Sequence, residues 1–407
     1  MNDLDALALL MIIARIGGDK MDKQMKLTQK MKDILLAGAI GDAVGYFIEF
    51  SKLSRIKALY GEDGLTLEAL NPKTQLVVSD DTQMTLFALE AIIEHGENIT
   101  DRKLFEKYRS WYLTQYNPNN EKIDSVLGNY GCMQHQRAPG GTCLSALARA
   151  YQSIYGTEFL NDSKGCGAVM RAAPFGFYPC MEDSLCLGKI QGQVTHRHPT
   201  GYLSGALMAC LINYALYHKT DLLEALEFCS KYVQKEYPKD SDETLDVVML
   251  AIKLGMSVMI QSKPIELSTH EENIKTIGEG WVGDEALAIA IYCALVSHSF
   301  EEVIKLSINH DGDSDSTGSI AAQLWVAFND LPEEYQAWVD RLDIKNAFKH
   351  MIEDQDTIKH KAADLIENMT PEKAQDLLQN AGIVDENGNI TTAYGGNYDP
   401  NDPLYRD

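Results

Sequence analysis

The 407-residue sequence predicts an all-α protein, and three observations lead to that fold class. Apolar residues recur at a spacing of 3.6 over residues 84–92 and again over residues 320–328. Residues 202–217 are apolar on nearly every side, as in a helix buried at the centre of a domain. Alternating polar and apolar runs, which indicate half-buried strands, are absent at any useful length. We therefore expect one large multi-helix domain with functional loops between its helices.

The N-terminus predicts a short amphipathic helix, because four apolar residues share one helical face: Leu4, Leu7, Ala8 and Met11. The apolar run over residues 6–14 follows two aspartates instead of basic residues, which argues against a signal peptide. Nine residues are also too few to span a bilayer, so no membrane association is expected. Two interpretations stay open: the helix packs on its own domain, or it contacts a partner.

Helix-ending and turn-forming residues elsewhere in the chain set the expected domain boundaries. The periodic run over residues 84–92 stops at Gly96, which predicts a helix end there. The Asn-Pro-Asn-Asn sequence at residues 117–120 predicts a loop, and the last 25 or so residues are rich in turn formers. We expect an N-terminal helical extension, a main domain and a C-terminal tail, over residues 1–30, 31–367 and 368–407.

Charge and cysteine content exclude several classes of function. With 36 Lys and Arg against 59 Asp and Glu, the formal net charge is −23. A surface this acidic repels phosphate backbones, so nucleic-acid binding is not expected. The eight cysteines form no Cys-x-x-Cys pair, which excludes zinc-ribbon and thioredoxin-type motifs. Nothing indicates a disulfide framework, so the sequence predicts a cytoplasmic protein.

Two short segments concentrate carboxylates and hydroxyls just before predicted helices. Residues 79–82 read Ser-Asp-Asp-Thr before a helix expected to begin near Gln83, and residues 312–317 read Gly-Asp-Ser-Asp-Ser-Thr before one expected near Gly318. Helix capping explains one oxygen donor per helix but not several. Adjacent carboxylates repel one another, and hard cations such as Mg²⁺, Ca²⁺ or Mn²⁺ prefer this donor set. Capping and metal binding are therefore both open interpretations.

A third segment, residues 38–49, places three glycines inside a helical pattern. Each glycine costs roughly 1 kcal/mol relative to alanine in a helix interior. Such a cost is tolerated where two backbones must approach closely, so we expect a close helix crossing here. At its end, Glu49 is either a surface residue that closes the helix or a carboxylate directed into a site.

Six segments of the chain, taken together, form a recognisable series: residues 41–49, 79–82, 163–171, 195–202, 278–281 and 312–316. In content and order they resemble the motifs of the ADP-ribosylglycohydrolase family. The first segment, residues 41–49, has the pattern Gly-Asp-x-x-Gly-x-x-x-Glu. The resemblance covers about residues 31–330. It implies an all-α fold, in agreement with the periodicity.

The resemblance also implies two divalent metal ions, most often Mg²⁺, with Mn²⁺ or Ca²⁺ as alternatives. Carried over position by position, the implied metal ligands are Ser79, Asp80, Asp81, Asp313, Asp315 and Ser316. Asp315 would bridge the two ions. Glu49 and Asp81 are the implied catalytic carboxylates, acting on a water or on the leaving group in roles that the sequence does not separate.

The implied substrate-binding residues come from the middle motifs. Those of the glycine-containing loop resemble the family's diphosphate-binding loop: Ser163, Gly165, Cys166 and Gly167. Small residues there would let backbone N–H groups approach phosphate oxygens. His196 matches a position beside the ribose or phosphate, although a lone histidine is also often structural. Trp281 lines the adenosine end of the pocket or else belongs to the core.

The implied activity is the removal of ADP-ribose from a modified protein side chain, with ADP-ribosyl-arginine as the expected linkage. The partner is then an ADP-ribosylated protein, and the chain could serve as immunity against an ADP-ribosylating toxin, contacted through residues 1–30. One alternative is a non-catalytic ADP-ribose-binding or toxin-blocking protein. Another is a metal-dependent phosphoesterase, which would release AMP instead of ADP-ribose.

Overall fold

A computed structural model describes most of the chain: residues 18–149, 161–218, 220–262, 264–332, 334–349 and 351, with backbone only at 18–26 and 97. In these residues the regular structure is helical, and strand-like pairing is limited to two isolated bridges, Leu76 with Leu342 and Gly165 with Val282. The predicted all-α class is therefore confirmed. None of the described helices is long and apolar enough to cross a membrane.

In chain order the described α-helices are α1 Gly18–Tyr46, α2 Leu53–Tyr60, α3 Asp80–His95, α4 Asp101–Gln115, α5 Gly141–Leu147, α6 Met181–Gln193, α7 Pro199–Tyr217, α8 Leu222–Glu236, α9 Asp242–Met259, α10 Leu267–Ile277, α11 Gly283–Val296, α12 Phe300–Ile308, α13 Ser314–Phe328 and α14 Tyr335–Val339. Short 3₁₀ turns lie at Gly96–Asn98, Leu127–Asn129, Gly131–Met133, Cys166–Ala168 and Ala173–Phe177.

Helices α7 and α11 form the centre of the core. Residues 200–214 of α7 are all buried, as the all-round apolar pattern predicts. In α11 every residue except Glu285 is buried. Helix α11 packs against α7, α9 and α13, so the functional loops at the helix ends rest on a continuous apolar interior.

Helices α1 and α13 cross at very short range because glycines replace side chains at the contact. A Cβ atom added to Gly41 would overlap the carbonyl oxygen of Gly318, and one added to Gly318 would lie 2.7 Å from the carbonyl oxygen of Gly41. At Gly45 an added Cβ would overlap the carbonyl oxygen of Ser314 and lie 2.7 Å from the Cα of Asp315. The predicted close helix crossing is confirmed, and it brings the end of α1 against the start of α13.

The starting points predicted for α3 and α13 were wrong. Helix α3 begins at Asp80, three residues before Gln83, because Ser79 is its N-cap and accepts a hydrogen bond from the amide of Asp81 at 3.1 Å. Helix α13 begins at Ser314 instead of near Gly318. The clustered carboxylates therefore lie in the first helical turns, where the helix dipole favours negative charge. The predicted end of α3 is confirmed, with Gly96 at its C-cap.

The chain divides into two units, Leu27–Lys349 and a second made of Met1–Lys26 with His350–Asp407. Everything described below lies in Leu27–Lys349. The predicted N-terminal helix over residues 4–11 and the predicted tail over 368–407 lie outside the described residues. The expected boundary at residue 30 falls inside the continuous helix α1, and the three domain limits stay predictions.

Gly45→Ala should destabilise the protein, because the new methyl group would meet backbone atoms of α13 that cannot rotate away. Overpacking of this kind costs about 1–3 kcal/mol. The matched control is Gly141→Ala at the first position of α5, where an added Cβ meets nothing within 4 Å. Urea unfolding should show a lower unfolding free energy for Gly45→Ala and no loss for Gly141→Ala. Equal unfolding free energies for the two variants would contradict the close crossing.

Candidate active site

The first turn of α3 is held in place by a buried carboxylate from α1. Asp42 accepts hydrogen bonds from the backbone amides of Ser79 at 2.9 Å and of Thr82 at 3.1 Å, and also from the Thr82 hydroxyl. Asp80 is fixed in turn by the amide of Gly140, which donates to its Oδ2 at 3.2 Å. Asp42 lies in the first sequence motif, but sequence reasoning assigned it no role. It acts as a long-range cap that sets where the α3 carboxylates lie.

The first turn of α13 presents the second group of carboxylates. Asp315 Oδ1 accepts a hydrogen bond from the amide of Ser316 at 3.0 Å. Asp313 Oδ2 accepts one from the thiol of Cys166 at 2.9 Å, and the Asp313 amide donates to the carbonyl oxygen of Glu279 at 2.9 Å. The Ser316 hydroxyl lies 3.6 Å from the Cys166 sulfur. These contacts place the glycine-containing loop beside the α13 carboxylates.

The crossing of α1 and α13 gathers carboxylates from separate motifs at one point. Carboxylate oxygens of Glu49, Asp313 and Asp315 all lie within 4.8 Å of one another. The Glu49 Oε2 and Asp81 Oδ2 atoms are buried and have no hydrogen-bond partner. The interpretation of Glu49 as a surface residue is therefore wrong, because its carboxylate is directed into this cluster. Burial, and after it the charge of Asp315, raise the pKa of Asp80 and of Asp81, so the carboxylates at the starts of α3 and α13 lie close to one another as well.

Burial and mutual repulsion oppose ionisation throughout this cluster. Burial first and the charge of Asp315 second raise the pKa of Asp80 and of Asp81 well above the usual range. The same two causes raise the pKa of Asp42 to about 7 and that of Glu49 to about 10. Among the described residues, no lysine or arginine forms an ion pair with any of these carboxylates.

The donor chemistry of the cluster fits a hard divalent cation. Crowded carboxylates without a cationic side chain need another source of positive charge, and oxygen-only donors with adjacent hydroxyls suit Mg²⁺, Mn²⁺ or Ca²⁺. The unpartnered oxygens of Glu49 and Asp81 are available as further donors. The residues present therefore fit the predicted cofactor class.

Two backbone amides of the loop over residues 163–167 donate hydrogen bonds within the protein. The Gly165 amide donates to the Ser163 hydroxyl at 3.2 Å, and the Cys166 amide donates to the carbonyl oxygen of Trp281 at 3.2 Å. A Cβ atom added to Gly167 would lie 2.9 Å from Cε1 of His196, so the loop lies tightly on that ring. Its expected contact with a diphosphate stays a prediction, and these two amides are already bonded within the protein.

His196 is buried beneath this loop, next to the buried Arg171. Its Nδ1 lies 2.9 Å from the Thr195 hydroxyl, to which the Arg171 guanidinium donates at 2.7 Å. Burial and then the charge of Arg171 lower the pKa of His196 to about 3. Its Nε2 would lie 3.1 Å from a Cβ added to Gly165, so the ring supports the loop from below. This packing supports a structural role, and direct contact with substrate stays a prediction.

Trp281 is not a core residue, which makes that interpretation wrong. Its side chain is 38% exposed, and its ring stacks on Phe50 with centroids 5.6 Å apart and an interplanar angle of 13°. The indole Nε1 donates to Glu279 Oε2 at 3.1 Å. Sequence reasoning did not select Phe50, although the residue directly follows Glu49. Its stacking on Trp281, its exposure and its positive φ appear only in the structure.

The all-α domain brings together carboxylates from the turn after α1 and from the starts of α3 and α13. The family model described as ADP-ribosylglycohydrolase matches residues 23–374. Because that match covers most of the chain, the protein belongs to the ADP-ribosylglycohydrolase family. Membership supports glycohydrolase activity on ADP-ribosylated substrates, and the family is generally metal-dependent.

Individual relatives agree with this assignment. A Dictyostelium discoideum protein named ADP-ribosylhydrolase ARH1 is 24% identical over 378 residues, covering 77% of this chain and 92% of the relative. A Rhodospirillum rubrum protein named ADP-ribosyl-[dinitrogen reductase] glycohydrolase is 22% identical over 317 residues, covering 75% and 88%. A solved chain titled ADP-ribosylglycohydrolase-related protein complex has a TM-score of 0.52 at 19% identity and covers 79% and 94%, which supports the fold.

His196→Gln should flatten the acid limb of the stability curve. The folded-state pKa of His196, about 3, lies below the unfolded value of 6.5, so the unfolded chain binds a proton that the folded chain does not. The unfolding free energy of the wild-type protein should therefore fall by about 1.4 kcal/mol from pH 7.5 to pH 5.5 because of this residue alone. Urea unfolding at both pH values, in EDTA throughout, measures the difference.

The control for this experiment is Gly141→Ala, which changes an exposed position and alters no titratable group. It should leave the pH dependence of the unfolding free energy unchanged. The comparison concerns the change with pH and not the absolute stability, because either substitution can alter the latter. Parallel pH profiles for wild type and His196→Gln would show that the ring is not held neutral.

Proposed function

We propose that this protein hydrolyses the bond between ADP-ribose and an arginine side chain of a modified protein, using divalent cations bound at the carboxylate cluster. The observation that carries the proposal is the convergence of Glu49, Asp313 and Asp315 within 4.8 Å, in a chain that belongs to the ADP-ribosylglycohydrolase family. The reaction class follows from the family. The arginine linkage is the finer part of the proposal.

The residues that would hold the cations come from the first turns of α3 and α13 and from the turn after α1. They are Ser79, Asp80, Asp81, Asp313, Asp315 and Ser316, with Glu49 as a further donor. We propose two ions, most readily Mg²⁺, because the donors are all oxygen and come from two helix starts. When bound, the cations would supply Lewis acidity and a template for the ribose hydroxyls and a water.

The chain's own groups supply the proton transfers. Glu49 and Asp81 each carry a buried carboxylate oxygen without a protein partner, and such an oxygen, where no cation occupies it, would be free to accept or donate a proton within the site. One would take the proton of the attacking water, and the other would protonate the leaving nitrogen. The surrounding negative charge would stabilise the positive charge that develops on the ribose as the bond breaks.

The finer biological role is a separate matter. Immunity against an ADP-ribosylating toxin, and contact with that toxin through residues 1–30, stay predictions, and most of that segment lies outside the described residues. The cytoplasmic location is likewise a prediction. The alternatives of a non-catalytic binding protein and of a phosphoesterase are distinguished by the reaction product.

Asp315→Asn should change how stability depends on Mg²⁺. Asp315 is a leading charge that raises the pKa of its carboxylate neighbours, so neutralising it relieves repulsion in the metal-free protein. In EDTA the variant should melt at or above the wild-type temperature. At a Mg²⁺ concentration 100 times the wild-type dissociation constant, the unfolding free energy of wild type should rise by about 2.7 kcal/mol. That of the variant should rise much less. Thermal melts of both proteins with and without Mg²⁺ measure this, and an equal Mg²⁺ response in both would contradict the metal site.

Product analysis tests the reaction itself. Wild-type protein with Mg²⁺ should release free ADP-ribose from an arginine-modified protein, and EDTA should abolish the release. Asp81→Asn should reduce turnover by at least about 100-fold, since general acid–base catalysis contributes about 10²–10⁴-fold. Release of AMP would instead indicate pyrophosphate cleavage. Binding of ADP-ribose without any turnover would favour the non-catalytic alternative.

A further inference from the structure

An exposed aromatic pair lies at the edge of the carboxylate cluster. Phe50 directly follows Glu49, whose carboxylate belongs to the cluster. Trp281 stacks on Phe50, and its carbonyl oxygen accepts a hydrogen bond from the amide of Cys166, whose thiol bonds to Asp313. The two rings therefore belong to segments that also supply residues of the proposed active site.

The stability of the fold does not explain the conformation of Phe50. Its φ is +62°, a region that bulky side chains rarely adopt, and its side chain is 71% exposed. Neither the local backbone preference nor burial of apolar surface favours this arrangement. An exposed aromatic ring held in a strained turn next to a catalytic carboxylate points to recognition of a ligand.

Polar contacts hold the residues after Phe50 against two segments, the one before α13 and the loop that carries Trp281. The Leu53 amide donates to Asp311 Oδ1 at 2.6 Å, and Lys52 Nζ lies 3.6 Å from Glu279 Oε1. The other oxygen of Glu279 accepts the indole N–H of Trp281 at 3.1 Å. Polar contacts on both of its segments therefore hold the stacked pair in place.

The charge beside the pair favours a cationic ligand. The side chains of Glu279 and Asp311 are 54% and 48% exposed, and together they outweigh Lys52, the lysine between them. Negative charge here repels a phosphate and gives no preference for a neutral adenine. A guanidinium is planar and cationic, so it can stack on an aromatic face while its N–H groups reach a carboxylate.

We propose that Phe50 and Trp281 form the subsite for the guanidinium of the modified arginine, with Glu279 as its charge partner. This inference rests on the arginine linkage proposed above. In ADP-ribosyl-arginine the bond to be cut joins the ribose directly to a guanidinium nitrogen, so that group must lie next to the carboxylate cluster. The adenine is separated from that bond by two riboses and a diphosphate. The position of Phe50 next to Glu49 therefore suits the guanidinium.

Phe50→Gly removes the ring while favouring the observed backbone, because glycine adopts a φ of +62° without strain. Its melting temperature should equal or exceed that of wild type. Its kcat/KM on ADP-ribosyl-arginine should fall by about 3- to 10-fold, as expected for a partly exposed cation–π contact. Its affinity for free ADP-ribose, which lacks the guanidinium, should not change. Phe50→Tyr keeps the aromatic face and should lose much less kcat/KM than Phe50→Gly.

The outcomes separate this subsite from the proposed function. If Phe50→Gly lost affinity for free ADP-ribose equally, the pair would stack on the nucleotide. If its kcat/KM were unchanged, the pair would not touch the substrate. Either result overturns the subsite. Wild-type protein that binds ADP-ribosyl-arginine without releasing ADP-ribose would overturn the proposed function alone. In that case the ratio of its affinities for ADP-ribosyl-arginine and ADP-ribose tests the subsite, and Phe50→Gly should lower that ratio.

Discussion

The contact between α1 and α13 is the constraint on which the site depends. Two helix backbones approach as closely as they do only because Gly41, Gly45 and Gly318 have no side chains. That approach carries Glu49, just beyond the end of α1, to the first turn of α13, where Asp313 and Asp315 lie. The same segment of α1 provides Asp42, which fixes the start of α3. One helix therefore positions both groups of carboxylates, and a side chain at the crossing would separate them.

The cost of this arrangement is the burial of several like charges. Most buried carboxylates in proteins are paired with cations or satisfied by hydrogen bonds. Asp42 follows this rule through the N–H and hydroxyl donors of Ser79 and Thr82, and so has a structural role. Asp81 and Glu49 do not follow it, because each keeps a buried oxygen without a partner. This contrast separates the carboxylate that holds the fold together from those available for metal binding and catalysis.

An acidic protein that acts on an anionic nucleotide must confine its negative charge. The chain carries a formal charge of −23, yet the donor set of its cluster is suited to cations that would offset the local excess. Under the proposed function, negative charge would have two uses at this site. It would retain the cations on one side, and at Glu279 and Asp311 it would favour a cationic leaving group over a phosphate on the other.

The sequence by itself determined the all-α class, the buried central helix α7, the end of α3 at Gly96 and the close crossing at the glycines of α1. These follow from periodicity, from capping residues and from the cost of glycine in helices, all of which act over a few neighbouring residues. The order of the motifs also identified the family. Only the tertiary structure decided that Asp42 bonds to Ser79, the N-cap of α3 that lies 37 residues later, that Glu49 faces inward, and that Phe50 stacks on Trp281. Those features depend on contacts between distant segments, and such contacts exist only once the helices have packed.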